Sequence, residues 1–219
     1  MNLFSDNHCF ICNSILYKNE IAVCRHCYNT LPRTNIHLQK DNIAEQLFFG
    51  KEDIIKAASF CFYASGSSFQ KAVHKFKYNN NPQLAYNLAL IYSKEIISSG
   101  WFNDLEAIIP VPIHHLKQLF RGYNQSYWIA KGISKITNLP IINNSLTKTR
   151  NNLSQTSHSF FDRHSNSDNA YKLKRDNLPN NILLIDDVLT SGATLQACIK
   201  AIKEVRECNI SILTLAIAH

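Results

Sequence analysis

No stretch of the 219-residue chain stays apolar for the length of a membrane helix, so a spanning architecture is not expected. The first residues, Met1-Asn-Leu-Phe-Ser-Asp6, lack a charged segment followed by an apolar one. That predicts no signal peptide and a cytoplasmic chain. Position 2 is Asn2, so an N-terminal cysteine nucleophile is missing, and no segment reads as a nucleobase or glutamine site. Acid is the scarcer charge: 16 Asp and Glu stand against 23 Lys and Arg, for a net charge of +7. Such a balance favours polyanionic partners or phosphorylated ligands. Asparagine runs such as Asn79-Asn80-Asn81 read as composition bias. The length and the 45% hydrophobic content allow one full domain with a small appendage.

The densest signal is Asn181-Ile-Leu-Leu-Ile-Asp-Asp-Val-Leu-Thr-Ser-Gly-Ala-Thr194. Ile182 to Ile185 predict a strand buried on both faces, as in a parallel sheet. From Thr194, Leu195, Cys198, Ile199, Ile202 and Val205 fall at helical spacing, and Ile210 to Ala218 reads as the next strand. Ligands of open α/β sheets bind at the carboxyl ends of strands. There Gly192 permits a turn that aims backbone N–H groups at one point, and the following helix adds its positive end. Thr190, Ser191, Ala193 and Thr194 complete a nest for a phosphate monoester. Asp186 and Asp187, just before it, can accept from ribose hydroxyls or face Mg²⁺, and without such a partner two adjacent like charges are costly. This stretch resembles the type I phosphoribosyltransferase signature, the loop that binds phosphoribosyl pyrophosphate (PRPP). Ser191 stands where many such transferases carry a second threonine.

Cys9, Cys12, Cys24 and Cys27 form Cys-x2-Cys, eleven residues, Cys-x2-Cys. Two such knuckles present four thiolates to one tetrahedral zinc. A disulfide pair is the rival reading, disfavoured in a cytoplasmic chain. His8 and His26 adjoin the knuckles, but four thiolates make them unnecessary as ligands. The metal is expected to be structural, since four thiolates leave no open position for substrate. Too few apolar residues surround the knuckles to build a core alone, so metal binding must supply folding free energy. Cys61 and Cys198 fit apolar patterns.

Between these features, Leu31 to Glu52 reads as a connector with a short helix near Ile43 to Leu47. Ile54 to Ala64 reads as a strand. Phe69 to Tyr78 predicts a helix with Phe69, Val73 and Phe76 inward and Lys71, His74, Lys75 and Lys77 outward. A second helix is expected from Pro82 to Ser98, and Ala107 to Val111 reads as a buried strand. Asn124 is a candidate cap for a helix with a stripe of Tyr127, Ala130, Ile133 and Ile136. Leu139 to Ile142 reads as a short strand. Thr147 to Asn169 is a long polar stretch, either a lid or binding segment or a disordered one.

Val111-Pro112, Arg121-Gly-Tyr-Asn-Gln125, Leu146-Thr-Lys-Thr-Arg150, Gln155, Arg163, Asn166 and the PRPP-type loop follow in order behind the four cysteines. This order resembles the ComF family of competence proteins over nearly the whole chain. Lys148 departs from it, since the family usually has arginine there, and bidentate phosphate recognition is lost. The resemblance implies an α/β fold: a type I phosphoribosyltransferase-like parallel sheet flanked by helices, with a small N-terminal four-cysteine zinc ribbon. The division expected is 1–35 for the ribbon, 36–53 for a connector and 54–219 for the phosphoribosyltransferase-like domain. It also implies a cytoplasmic role in taking up transforming single-stranded DNA, with DNA-uptake or recombination proteins as partners.

Two functions are then expected to compete. One is a DNA-handling protein with a phosphoribosyl pocket, in which Arg121, Lys148, Arg150 and Arg163 contact DNA phosphates. Phe120, Tyr123, Phe160 and Phe161 would either stack bases or pack in the core. The other is an active Mg²⁺-dependent phosphoribosyltransferase, in which the same basic residues clamp pyrophosphate. No catalytic residue is assigned in either reading.

Overall fold

The computed structural model describes residues 8–64, 66–78, 81–149 and 170–218. Arg150, Gln155, Phe160, Phe161, Arg163 and Asn166 lie outside them, as does most of the polar stretch 147–169.

Four parallel strands make the central sheet: β1 (Lys56–Tyr63), β2 (Ala107–Pro110), β5 (Asn181–Leu189) and β6 (Asn209–Ala218), in the order β1-β6-β5-β2. The two central strands are the most continuously apolar, as burial on both faces demands. Leu183 and Ile185 of β5 join one core, and Ile182 and Leu184 join the other. That alternation divides the helices. On the first face lie α3 (Ser68–Tyr78), α4 (Pro82–Ile96) and α6 (Gln125–Thr137). On the second lies α7 (Ala193–Lys203), together with a two-stranded antiparallel hood of β3 (Leu146–Lys148) and β4 (Tyr171–Leu173). α5 (His115–Arg121) bridges β2 and α6 at the carboxyl ends of the strands.

The helices end where their residues require it. Asn81 caps α4 by accepting from the N–H of Leu84 with Pro82 in the first turn, and Asn124 caps α6 by accepting from that of Ser126. Gly122 and Asn138 close α5 and α6 with positive φ. α4 and α6 pack so closely that a Cβ at Gly132 would collide with the backbone oxygen of Tyr86.

The first knuckle and α1 (Arg25–Asn29) do not stand apart. Cys9, Leu16, Val23, Cys27 and Leu31 belong to the same buried cluster as Phe60, Phe69 and Leu88. Arg33 secures the junction by donating from Nε and Nη2 to the Glu95 carboxylate of α4, each at 2.8 Å, and from Nη1 to the carbonyl of Tyr28. The connector also contributes core. α2 (Ile43–Gln46) starts with a capping box of Asn42 and Glu45, and Ala44 and Phe48 are fully buried beneath α7 and β1.

Several expectations need correction. Leu139 to Ile142 does not form a strand; it makes a single bridge, Ile108 to Ile141, since Pro140 has no N–H to extend a ladder. Val205 falls beyond the end of α7 and is exposed. The buried stripe of α6 is Gln125, Ser126, Ile129, Ala130, Gly132 and Ile133, so Tyr127 and Ile136 lie at its margins. β5 continues past Ile185 because β6 runs beside it, pairing Asp186 with Thr214 and Leu189 with Ile217. Among the described residues no helix is long and apolar enough to cross a membrane. The parallel sheet flanked by helices, with the four-cysteine cluster at the N-terminus, is a type I phosphoribosyltransferase-like arrangement.

Candidate functional site

Because β5 runs on, Asp186 and Asp187 sit within its second half, before its end at Leu189. Both are half-buried. The Asp186 carboxylate accepts from the hydroxyl of Ser126 at 3.1 Å and from the N–H of Asp187 at 2.8 Å. Burial first, and then the charge of Asp187, push the Asp186 carboxyl up to about 7. The two hydrogen bonds and Lys77 oppose that rise only in part. Asp187 has its own partner in Lys77, whose Nζ stands 3.2 Å from its Oδ1.

The turn after β5 opens the other half of the site. Thr190, Ser191, Ala193 and Thr194 are exposed around Gly192, which has φ 78° and forms the N-terminal cap position of α7. The first-turn N–H groups of a helix have no carbonyl partner inside it, so this end can receive an anion. A Cβ on Gly192 would meet Phe48 and the Gln196 amide, and the left-handed φ would strain it further. The Gln196 amide donates to the carbonyl of Leu47 at 3.0 Å, fastening α7 to the connector.

The segment Arg121 to Ser126 braces the acid pair. Tyr123 is buried and donates its hydroxyl to the carbonyl of Phe76, so it is a core residue and does not stack bases. Asn124 donates to the carbonyl of Val111 at 3.0 Å while capping α6, and Ser126 reaches Asp186. Gln125 is buried with its amide nitrogen unpartnered among the described residues. Phe120 is the opposite of Tyr123: it is 90% exposed on α5, beside exposed Leu116 and Leu119. Arg121 closes the same helix. Lys148 lies on the hood with its ammonium 5.1 Å from the Tyr171 ring. Burial, then neighbouring Lys117, lower its pKa. The sequence reading missed Lys77, assigned to a solvent face, and Ser126. The only local hint of Ser126 was its place in the first turn after the Asn124 cap.

Beside the end of β2 lies a cavity of about 310 Å³. Its wall is made of the rings of Tyr127 and Trp128 and the amides of Gln118, Asn124, Asn143 and Asn144, without a charged side chain among its lining residues.

At the other end of the chain, the sulfur atoms of Cys9, Cys12, Cys24 and Cys27 all lie within 4.8 Å of one another. Cys9, Cys24 and Cys27 are buried and Cys12 is exposed. Hydrogen bonding to Ser14 holds the Cys12 thiol down at about 6, whereas burial and the neighbouring thiols push Cys27 far up. Four converging sulfurs with so little room fit a single tetrahedral zinc.

No family model matches the chain. It is 30% identical over 150 residues to competence protein F of Haemophilus influenzae, a match covering 66% of each chain. It is 25% identical over 126 residues to the DNA utilization protein YhgH of Escherichia coli, covering 56% of each. Competence protein ComFC of Bacillus subtilis is 22% identical over 186 residues, covering 84% of this chain and 67% of that protein. The first two matches thus span less than two thirds of the relatives' own length. With its four-cysteine cluster ahead of a phosphoribosyltransferase-like sheet, the chain belongs to the ComF family of competence proteins.

Proposed function

We propose that the chain handles incoming single-stranded DNA during natural transformation and carries a pocket for PRPP or a related phosphoribosyl ligand. The carrying observation is the juxtaposition at the carboxyl end of β5: the pair Asp186–Asp187, then the exposed hydroxyls of Thr190, Ser191 and Thr194 around the N-terminus of α7. The carboxylates suit ribose hydroxyls, and the turn with its helix end suits the 5-phosphate. Hard carboxylate oxygens also fit Mg²⁺, which would neutralise pyrophosphate charge when bound. The names of the relatives, competence protein and DNA utilization protein, supply the DNA side of the reading. Exposed Phe120 next to Arg121, with Lys117 and Lys148 nearby, gives a stacking ring among cations. Residues 1–35 would serve as the zinc-held ribbon, 36–53 as a connector and 54–219 as the ligand-binding domain. Arg150 and Arg163 are retained as phosphate contacts on the sequence alone. The location would be cytoplasmic, with DNA-uptake or recombination proteins as partners.

Calorimetric titration with PRPP and Mg²⁺, repeated with a short single strand, tests this. The wild type is expected to bind both, Asp186→Ala with Asp187→Ala to lose PRPP, and DNA affinity to fall steeply with salt. Salt-independent DNA binding, or none, would sink the DNA half; PRPP binding that survives the double change would sink the pocket.

A second reading, an active Mg²⁺-dependent phosphoribosyltransferase, is favoured by the cavity beside β2, whose aromatic and amide wall suits a flat, neutral acceptor. PRPP that stays intact with every base and amine offered would remove this reading and leave the binding one standing.

A further inference from the structure

Two adjacent carboxylates at a strand end repel each other unless one keeps its proton or a cation pairs with them. In this chain the counter-charge comes from a different layer of the fold. Lys77 lies in the last turn of α3 and reaches Asp187 at 3.2 Å, with side chains only 22% and 14% exposed. Its ammonium forms a direct ion pair with Asp187, and its charge also opposes the rise of Asp186, which feels the more distant Lys148 as well. Its place is held by design of the neighbouring segment. Tyr123 donates to the carbonyl of Phe76, the residue before Lys77, while Ser126, three residues on, donates to Asp186. One short stretch therefore fixes the partner of each acid.

We propose that Lys77 is a built-in cation of the ligand site, a positioning residue that neutralises Asp187 and makes the ligand-free acid pair independent of divalent metal. This rests on the phosphoribosyl reading of the site, and deepens it. A ligand whose hydroxyls or metal engage Asp187 must share that carboxylate with Lys77 or displace its ammonium toward the ligand's own phosphates. Lys77 would then act as a gate on charge: only a ligand that brings both a cation or hydroxyl donors and an anion satisfies Asp187 and Lys77 together. A bare metal ion supplies the first without the second and is repelled by the ammonium.

Thermal melting of the full chain against Mg²⁺ alone, with zinc retained, provides the test. The wild type and Lys77→Arg are expected to melt at the same temperature with and without Mg²⁺. Lys77→Gln is expected to melt lower and to recover by about 3 °C or more as Mg²⁺ is raised well above its Kd. Lys77→Gln combined with Asp187→Asn should lose that response, because the charge needing a cation is gone. Should Lys77→Gln fail to fold, the double variant must still fold and melt near the wild type. A Mg²⁺ response equal in wild type and Lys77→Gln, or an unfolded double variant, overturns the proposal. Titration of the wild type with PRPP is read separately. Its failure would remove the phosphoribosyl ligand while the Mg²⁺ response of Lys77→Gln still decides the role of Lys77.

Discussion

Asp186 shows how a single side chain is set by its surroundings. An aspartate ordinarily titrates at 3.8; here burial and Asp187 raise it to about 7. The folded chain therefore holds a proton at pH values where the unfolded chain has released it. The ionised carboxylate costs stability above about pH 7, and that cost fades as pH falls through 7 toward the ordinary range. Asp186→Asn removes the cost and keeps an oxygen that can accept from Ser126 and from the N–H of Asp187. The variant should outmelt the wild type most at about pH 8, with the gap shrinking by about pH 5.5. A gap that stays constant across that range would show that ionisation of Asp186 is not its origin. The two aromatic residues of the Arg121 segment make the same point. Phe120 and Tyr123 were equivalent in sequence, open to base stacking or to packing. Tyr123 is buried under α3 with its hydroxyl bonded, and Phe120 projects into solvent.

At the scale of elements, periodicity carried most of the fold. α3 and the apolar run of β5 were legible because burial of a stripe or of both strand faces demands a repeating apolar pattern. α6 was legible as a helix, but its buried face was misplaced by about one residue. Gly132, Ser126 and Gln125 carry little or no apolar signal, yet all three are buried, Gly132 by the close approach of α4 and Ser126 beside Asp186 of β5. Gly132→Ala is expected to cost about 1–3 kcal/mol by forcing the two helices apart. Denaturant titration would read this as a lower midpoint with an unchanged slope. An undiminished midpoint would mean that the α4–α6 contact is loose. The short strand expected at Leu139 to Ile142 failed for the converse reason. Its side chains suited a strand, but Pro140 could not take part in the ladder.

Across the whole molecule, the ribbon and the sheet share one core, with Arg33 and Glu95 joined over their boundary. Loss of zinc should then be felt by the entire chain rather than by 1–35 alone. Calorimetry of the zinc-loaded chain after chelation is expected to show one transition moved down by at least ~4 °C, since a metal held only by the folded chain adds to its folding free energy. Two separate transitions, with the larger unmoved, would show that the ribbon is held independently. The four cysteines themselves needed no structure to be recognised, because Cys-x2-Cys brings two thiolates to one side of a local turn whatever surrounds it.

The sequence alone determined the features that depend on local chemistry. These are the four-thiolate set, the acid pair before a hydroxyl- and glycine-bearing turn, the alternation of strand and helix, and the family these imply. The tertiary structure alone decided which distant side chains attend the acids. Lys77 lies 110 positions before Asp187 and Ser126 lies 60 before Asp186, and neither distance leaves a mark in local sequence pattern. It also decided that the connector props α7 through Phe48 and Gln196, and that Tyr123 is a brace. Spacing along the chain reports contacts within one element. Contacts across the carboxyl end of a parallel sheet exist only once its crossovers have been packed.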